Sequence, residues 1–340
     1  MRPSVAIDVS DSSGPAAARR AVAAFCSDLM FDDASTGRAA IVVTEMATNL
    51  FKHAGTGEVV ISAIAEGARV RLQVLGLDRG PGFDLARCLR DGYSTAGSPG
   101  NGLGAMQRLS DVFEVYSRQG AGAAVLSEIG GGTRATAPEW PFSIGAISVA
   151  KPGEEACGDA WAAENGASSL SVMLADGLGH GPGAEEAARA AVVAFRRSAC
   201  QAPADCINVL HAALRPTRGA AVAVAQVPLA SGSDLRFAGV GNATGLIAGE
   251  GAGRHLVSHS GTVGHEVRRV QEFVYPWARN ARLVLTSDGI GTRWDLDAYP
   301  GILRKHPALL AGVLYRDFRR TRDDATVVVV AERPAFMEPA

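Results

Sequence analysis

Residues 45–54 read EMATNLFKHA, and this stretch decides the fold of the first third of the chain. Glu45 and Asn49 are four residues apart, so a helix presents both side chains on one face. Lys52 follows at the end of the same helical pattern. Hydrophobic periodicity predicts helices near 15–31 and 35–53, a short helix that ends near 109, and strands near 58–65, 69–75, 112–118 and 123–129. An acidic group and an amide oxygen are therefore expected together at the end of a helix that precedes a pair of strands.

Two glycine-containing segments follow this helix. Residues 78–82 read DRGPG directly after a strand, and residues 100–104 read GNGLG directly before a helical pattern. An Asp at a strand end can accept a hydrogen bond from the amino group of adenine, and glycines let the backbone approach a base and phosphates closely. Amides at a helix start can hold phosphate oxygens. Asn49 could complete a Mg²⁺ sphere, and Glu45 could accept a proton from an attacking hydroxyl or water.

The joint order of these three segments resembles the GHKL ATPases. The resemblance is closest to the small serine kinases that act as anti-sigma factors or as switch kinases of bacterial stress signalling. It covers roughly residues 5–130 and implies an ATP-binding serine-kinase-like domain over 1–131. It also implies that Glu45 is the catalytic base, that Asp78 binds adenine and that Asn49 binds Mg²⁺. The residues expected to bind ATP with Mg²⁺ are Asn49, Lys52, Asp78, Gly80, Gly82, Gly100, Gly102 and Gly104.

The sequence pattern changes after the tract GGGTRATAPEWP at 130–141, which is rich in turn residues and has no periodicity. We predict a linker at 132–141 and a second domain at 142–333. Short strands dominate this second part, and the two halves predict different folds. Its predicted strands lie near 143–150, 169–174, 220–227, 235–240, 282–286 and 325–330, and its helices near 183–200, 204–214 and 302–320.

Aspartates recur beside the apolar strands of the second part. Asp159 precedes a strand, Asp176 and Asp288 each follow one, and Asp323-Asp324 precedes the run ATVVVV. A single Asp-Gly is most often a turn, whereas four such points in one domain favour a shared site. Oxygen-only ligands suit Mg²⁺ or Mn²⁺. Two such ions that share a carboxylate can lower the pKa of a bridging water and clamp a phosphoryl group.

Residues 142–332 resemble the metal-dependent serine/threonine protein phosphatases of the PPM family, in particular the SpoIIE type. The closest likeness is to the phosphatase of stress signalling that acts on phosphorylated stressosome proteins. The segments that carry it are GD (158–159), ADGLGHG (175–181), AGVGNATG (238–245), TSDG (286–289) and RDDATVVVV (322–330). The resemblance implies an α-β-β-α sandwich, so the predicted fold class is α+β, with a GHKL α/β sandwich followed by this second domain.

The same resemblance assigns roles around two Mn²⁺ or Mg²⁺ ions. Asp176 would bridge both ions, the Gly177 carbonyl would join one, and Asp288 and Asp323 would hold the second. Asp159 would act mainly through metal-bound water, so Asp159 and Asp176 are the expected catalytic residues of this domain. Asp324 fills a position where the family has Asp or Asn. The phosphate-binding Arg that human-type enzymes carry near their N-terminus has no recognisable counterpart in this sequence.

Composition excludes several other classes of protein. Of 340 residues, 47% are hydrophobic and 20% charged, which is a globular balance. The net charge of −2 gives no basic arm for nucleic acid. The longest uncharged stretches, 92–107 and 219–233, are too short and polar to span a bilayer, so no membrane partner is expected. The first residues lack an apolar signal core, and the five cysteines form no CxxC pair, so we expect a cytoplasmic protein.

Together these features predict a stress-signalling or sigma-factor-signalling protein with two modules. The expected activity is removal of phosphate from phosphoserine or phosphothreonine on an anti-sigma-antagonist or stressosome-type protein, with a possible protein serine kinase in the first module. Two alternatives stay open. The first module could bind ATP and a partner without transferring phosphate, or the whole chain could be a non-catalytic anti-sigma binding protein.

Overall fold

The computed structural model describes residues 2–84, 102–131, 139–230, 232–249 and 253–333. The chain divides into two compact units. The first unit contains Arg2–Glu139 together with Arg304–Arg316, and the second contains Trp140–Leu303 and the chain from Asp317 onward. The predicted second domain, by contrast, runs without interruption through residues 304–316. In the part of the chain described, no helix is both long and apolar enough to cross a membrane.

The first unit is built on one antiparallel five-stranded sheet with the order β1-β2-β3-β5-β4. Its strands and helices are β1 (Val5–Val9), α1 (Gly14–Asp28), α2 (Asp33–Asn49), β2 (Gly57–Glu66), β3 (Arg69–Asp78), α3 (Gly102–Leu109), β4 (Val112–Ser117) and β5 (Ala123–Gly130). Two features were not predicted. They are strand β1 at the sheet edge and a π-helical turn at Leu50–Ala54, which extends α2 by one wider turn.

Helices α1 and α2 cover one face of this sheet. Asp32 caps α2, because its carboxylate accepts a hydrogen bond of 2.7 Å from the Ser35 amide. The core between the helices and the sheet consists of fully buried apolar side chains, including Phe25, Val42, Met46, Ile61 and Val74. Burial of this apolar surface holds α2 against the sheet, which fixes the height of its C-terminal turn above strand β3.

The opposite face of the sheet is covered by the late segment of the chain. A helix that spans Pro307–Phe318 lies on this face, and every residue from Pro307 to Tyr315 is buried. A Cβ atom on Gly312 would lie 2.9 Å from Leu77 and 3.5 Å from Leu75. Both leucines alternate with Val74 along β3 and so face away from α1 and α2. Gly312 therefore lets this helix lie close against the sheet.

A buried polar network lies on the same face of the sheet. The Arg71 guanidinium forms an ion pair with Glu66 and lies 3.5 Å from a Glu128 carboxylate oxygen. The Gln73 side-chain amide donates a hydrogen bond of 2.7 Å to Glu128. All four side chains are almost completely buried. Because an unpaired buried charge is costly, these groups stabilise the unit only as a set.

The second unit contains two antiparallel five-stranded sheets with the orders β13-β10-β9-β8-β7 and β12-β11-β14-β15-β6. The elements are β6 (Phe142–Val149), β7 (Asp159–Asn165), β8 (Ser169–Gly177), α4 (Pro182–Ser198), α5 (Pro203–Leu214), β9 (Ala220–Pro228), β10 (Asp234–Val240), β11 (Thr244–Ala248), β12 (Arg254–Leu256), β13 (Phe273–Pro276), β14 (Arg282–Thr286), α6 (Pro307–Phe318, which packs with the first unit) and β15 (Ala325–Glu332). The six strands predicted from apolar runs all occur.

Helices α4 and α5 pack on the sheet that contains β7 to β9. Their contact with that sheet buries Phe195, Ile207 and Leu210 against Met173 and Val222. The short strands β11, β12 and β13 were not predicted, since they have five, three and four residues and little hydrophobic periodicity. The stack of two sheets brings the starts of β7 and β15 and the ends of β8 and β14 to one region of the unit.

Candidate functional sites

The helix α2 side chains predicted to serve the nucleotide site meet the start of α3. A Cβ atom on Gly102 would lie 2.8 Å from Glu45 Oε2 and 3.3 Å from Asn49 Nδ2. Both side chains are half-buried. The absence of a side chain at this position lets the first turn of α3 approach the carboxylate and the amide this closely. The structure thus brings Glu45, Asn49 and Gly102 together.

Asp78 ends strand β3 and is oriented by backbone amides. Its Oδ1 accepts hydrogen bonds from the Gly80 amide at 2.8 Å and the Ala123 amide at 3.3 Å. Burial raises the pKa of Asp78, and the two amide hydrogen bonds and the positive charge of Arg316 oppose that rise. Within the described residues, Oδ2 makes no hydrogen bond. The free oxygen of a half-buried carboxylate is suited to accept a hydrogen bond from the amino group of a base.

The remaining predicted nucleotide residues lie around these two clusters. Lys52 is exposed in the π-helical turn that extends α2. Gly80 and Gly82 follow Asp78 in one loop, and Pro81 in that loop accepts a hydrogen bond of 2.8 Å from the Gly120 amide. Gly104 lies in the first turn of α3. Gly100 lies outside the described residues.

Sequence reasoning missed Arg316 as a neighbour of Asp78. The Arg316 guanidinium donates to the backbone carbonyl of Asp78 at 2.8 Å and to that of Ala123 at 3.3 Å. The Arg79 side chain in turn donates to the Arg316 carbonyl. A residue 238 positions away along the chain therefore fixes the end of β3, and no local pattern signals such a contact.

In the second unit, Asp159 and Asp176 lie directly opposite each other on strands β7 and β8. Asp159 is buried and Asp176 is half-buried. Burial, followed by the charge of Asp288, raises the pKa of Asp176 to about 7. Burial, followed by the charge of Asp176, also raises the pKa of Asp159 well above its usual range. One oxygen of each carboxylate, Oδ2, is buried without a hydrogen-bond partner among the described residues.

Asp288 follows strand β14 and joins this acidic cluster. Its Oδ2 accepts a hydrogen bond of 2.6 Å from the Asn242 side-chain amide, and its backbone carbonyl accepts one of 2.9 Å from Arg320. Burial raises the pKa of Asp288, and the neighbouring charge of Asp323 adds to the rise. Asn242 lies in the segment AGVGNATG, but the sequence alone gave it no role. The amide of Asn242 orients a carboxylate that was predicted to bind metal.

The adjacent Asp323 and Asp324 have different surroundings. Asp324 is buried, and its two oxygens accept hydrogen bonds of 2.8 Å each from the amides of Lys151 and Gly158. Asp323 is half-buried, and Oδ1 accepts a hydrogen bond of 3.0 Å from the Asp324 amide. Asp324 therefore ties the loop before β7 to the start of β15. Asp323 lies close enough to Asp288 for its charge to act on that carboxylate.

Gly177, predicted to offer its carbonyl to a metal ion, is packed too tightly for any side chain. A Cβ atom there would overlap the carbonyl oxygen of Ala184 and would lie 2.9 Å from that of Gly158. The Gly177 amide donates to the Gly158 carbonyl at 2.8 Å. These contacts join the Gly-Asp segment of β7, the Asp-Gly segment of β8 and the start of α4.

The chemistry of this cluster fits Mg²⁺ or Mn²⁺. All its donors are hard oxygens, and two buried carboxylate oxygens have no hydrogen-bond partner in the described part of the chain. Divalent cations would also relieve the mutual repulsion of the carboxylates. Among the described side chains, no three His, Cys, Asp or Glu residues already enclose one ion position. The assignment of Asp159, Asp176, Gly177, Asp288 and Asp323 as ligands therefore stays a prediction.

Comparison with known proteins relates the two units to two kinds of signalling protein. The family model for the histidine kinase-like ATPase domain matches residues 11–127. Over 99 residues, the chain is 32% identical to the serine/threonine-protein kinase RsbT of Bacillus subtilis (strain 168). This alignment covers 29% of the present chain and 74% of RsbT. The first unit is thus related in sequence as well as in fold to a kinase.

Two solved structures share the fold of the rest of the chain. One comes from work on the bacterial stressosome as a modular system adapted to control secondary messenger signalling. It is 26% identical, has a TM-score of 0.52, and the match covers 56% of the present chain and 98% of that chain. The other is RsbX in complex with magnesium, at 17% identity and a TM-score of 0.51, with 58% and 98% covered. The prediction of an α+β chain with a GHKL-like and a phosphatase-like fold is confirmed.

Proposed function

The chain belongs to the histidine kinase-like ATPase family through its N-terminal domain and carries a PP2C-type phosphatase fold after it, and from this premise we propose that it is a stress-signalling protein with opposed modules. The second domain removes phosphate from phosphoserine or phosphothreonine of an anti-sigma-antagonist or stressosome-type protein. The first domain binds ATP with Mg²⁺ and acts on the same class of partner. The pairing of Asp159 with Asp176 beside Asp288 is the observation that carries the phosphatase proposal.

In the proposed phosphatase site, contacts with neighbouring residues orient the carboxylates. Asp159, Asp176, the Gly177 carbonyl, Asp288 and Asp323 would hold two Mn²⁺ or Mg²⁺ ions. Bound ions of this kind supply an activated water and neutralise the charge of a phosphoryl group. Asn242 and the tight packing at Gly177 support the proposal, since both fix ligand positions before any ion binds.

In the proposed nucleotide site, each cluster has a separate task. Asp78 accepts a hydrogen bond from the adenine amino group through its free Oδ2, and Asn49 holds Mg²⁺ against the phosphates. Glu45, one turn before Asn49, accepts the proton of the serine hydroxyl that attacks ATP. Support for this arrangement comes from Gly102, whose missing side chain leaves room beside both Glu45 and Asn49.

A first experiment tests the phosphatase proposal by its need for metal. The full chain, freed of metal by a chelator, should hydrolyse p-nitrophenyl phosphate and a phosphoserine peptide after Mn²⁺ or Mg²⁺ is restored. Zn²⁺ should not be required, because the ligand set lacks Cys and His. No hydrolysis with any ion would refute the proposal and favour a non-catalytic binding protein. Restoration by Zn²⁺ alone would refute the proposed oxygen-only metal site.

A second experiment separates ATP binding from phosphotransfer in the first domain. Calorimetry should show that Asp78→Ala weakens ATP binding about tenfold or more, because a hydrogen bond to a charged group is lost. Asn49→Ala should remove the Mg²⁺-dependent part of the affinity, and Glu45→Gln should bind ATP normally without transferring phosphate. If wild-type protein binds ATP but labels no partner, the first domain is a docking or sensing module instead.

A further inference from the structure

Arg218 lies at the same end of its sheet as the acidic cluster. In the pairing of β8 with β9, Ala221 lies opposite Asp176 and Ala220 lies opposite Gly177. Arg218 comes two residues before Ala220, and the Leu178 amide donates to the carbonyl of the intervening Gly219 at 2.9 Å. The backbone at Arg218 is thus held beside the loop that leaves the acidic strand end.

The Arg218 side chain runs across the loop that follows Gly177. A Cβ atom on Gly183 would lie 2.6 Å from Arg218 Nε, and one on Gly179 would lie 3.5 Å from Nη1. The two glycines bracket the turn that leads from β8 into helix α4. Arg218 is exposed, and the path of its side chain across the turn depends on the absence of a side chain at Gly183.

Among the residues that the structure describes, the charge of Arg218 has no partner, unlike the other basic groups nearby. Lys151 and His180 both pair with Glu154, at 3.8 and 2.6 Å. Arg320 donates to the Asp288 carbonyl. Within the described residues, Arg218 makes neither an ion pair nor a hydrogen bond through its guanidinium. Meanwhile its backbone is fixed, because the Gly219 amide donates to Thr217 Oγ1 at 3.0 Å.

We propose that Arg218 binds the phosphate group of the phosphorylated side chain in the second domain. This inference rests on the proposed phosphatase function and names the phosphate-binding residue for it. A guanidinium can donate two parallel hydrogen bonds to a phosphate, which gives direction as well as charge. A phosphomonoester that enters a cluster of carboxylates needs positive charge on its outer oxygens, and Arg218 supplies it from the neighbouring loop.

The test compares full-length wild type with Arg218→Ala, Arg218→Lys and Arg215→Ala. Arg215 is a matched control, since it is exposed three residues earlier at the end of α5. Inorganic phosphate is titrated calorimetrically into each protein with Mn²⁺ present, and phosphate inhibition of p-nitrophenyl phosphate hydrolysis is measured. A separate titration measures Mn²⁺ affinity, which reports on the acidic cluster without reference to activity.

We expect Arg218→Ala to weaken phosphate binding and raise the phosphate inhibition constant about tenfold or more, with Mn²⁺ affinity unchanged. Arg218→Lys should retain part of the affinity, because it keeps the charge and loses the paired hydrogen bonds. Arg215→Ala should match wild type within about twofold, as expected of a surface substitution.

The assignment is overturned if Arg218→Ala binds phosphate within twofold of wild type. It is also overturned if Arg215→Ala loses as much phosphate affinity as Arg218→Ala. In either case a wild type that hydrolyses phosphomonoesters leaves the proposed function standing. A wild type that neither binds phosphate nor hydrolyses the ester overturns both together.

Discussion

At the level of single residues, the nucleotide site depends on how closely two helices approach. Gly102 lies beside the carboxylate of Glu45 and the amide of Asn49, so the site has its shape because one side chain is absent. The residue types and their order were readable from the sequence. The contact itself was not, because spacing along a chain does not fix the distance between residues that are more than 50 positions apart.

Gly102→Ala tests this contact. The added Cβ would meet a flexible carboxylate end, so the free energy of unfolding should change by less than about 1 kcal/mol. Displacement of Glu45 and Asn49 should nevertheless weaken Mg²⁺-ATP binding about tenfold, as measured by calorimetry.

Gly37→Ala is the control for this substitution. Gly37 is in helix α2, and a Cβ there meets nothing within 4 Å. It should leave ATP affinity unchanged and stabilise the protein by about 0.5–1 kcal/mol, because Ala favours a helix over Gly. Equal ATP affinity in both variants would contradict the described approach of α3 to α2.

At the level of secondary-structure elements, the acidic cluster is assembled by strand pairing and by one buried anchor. The sequence predicted that Asp159, Asp176 and Asp288 stand at strand ends, but not that Asp159 and Asp176 face each other, since register is set by the whole sheet. Asp324 illustrates the same limit. It is the same residue type as its neighbour Asp323 and precedes the same apolar run. Its two oxygens nevertheless accept hydrogen bonds from the backbone amides of Lys151 and Gly158, which lie in a distant loop.

A pair of substitutions should separate the two neighbouring aspartates. Asp324→Ala leaves the amides of Lys151 and Gly158 without their acceptor, so the free energy of unfolding should fall by about 1–3 kcal/mol. Asp323→Ala should change stability by less than about 0.5 kcal/mol and instead lower Mn²⁺ affinity. Chemical denaturation and metal titration of both variants measure the two effects, and a reversed order would refute the anchor role of Asp324.

At the level of the whole molecule, the compact units do not follow the order of the sequence. Residues 304–316 belong to a stretch whose helical pattern was placed in the second domain, and they pack on the sheet of the first unit. Gly312 lies against Leu75 and Leu77, and Arg316 holds the carbonyl of Asp78. Local periodicity predicts that a helix forms, but it carries no information about which sheet the helix covers.

A fragment that ends at Glu139 should therefore be less stable than the same residues in the full chain. It retains strands β1 to β5 but lacks the helix that covers Leu75 and Leu77, so an apolar sheet face becomes exposed. We expect a lower unfolding temperature and self-association in sedimentation experiments. Addition of a peptide with residues 301–320 should restore stability. A monomeric fragment as stable as the full chain, with no response to the peptide, would contradict this role of the helix.

The most direct test of the central claim is phosphate release by full-length Asp176→Asn in the presence of Mn²⁺. Asp176 is proposed to contact both ions, so the loss of one charge should lower the rate of phosphoserine hydrolysis by orders of magnitude. The apo protein should remain folded and unfold at a higher temperature than wild type, because a carboxylate whose burial and acidic neighbours raise its pKa has been neutralised. Hydrolysis at a rate close to wild type would contradict the two-metal account of the second domain.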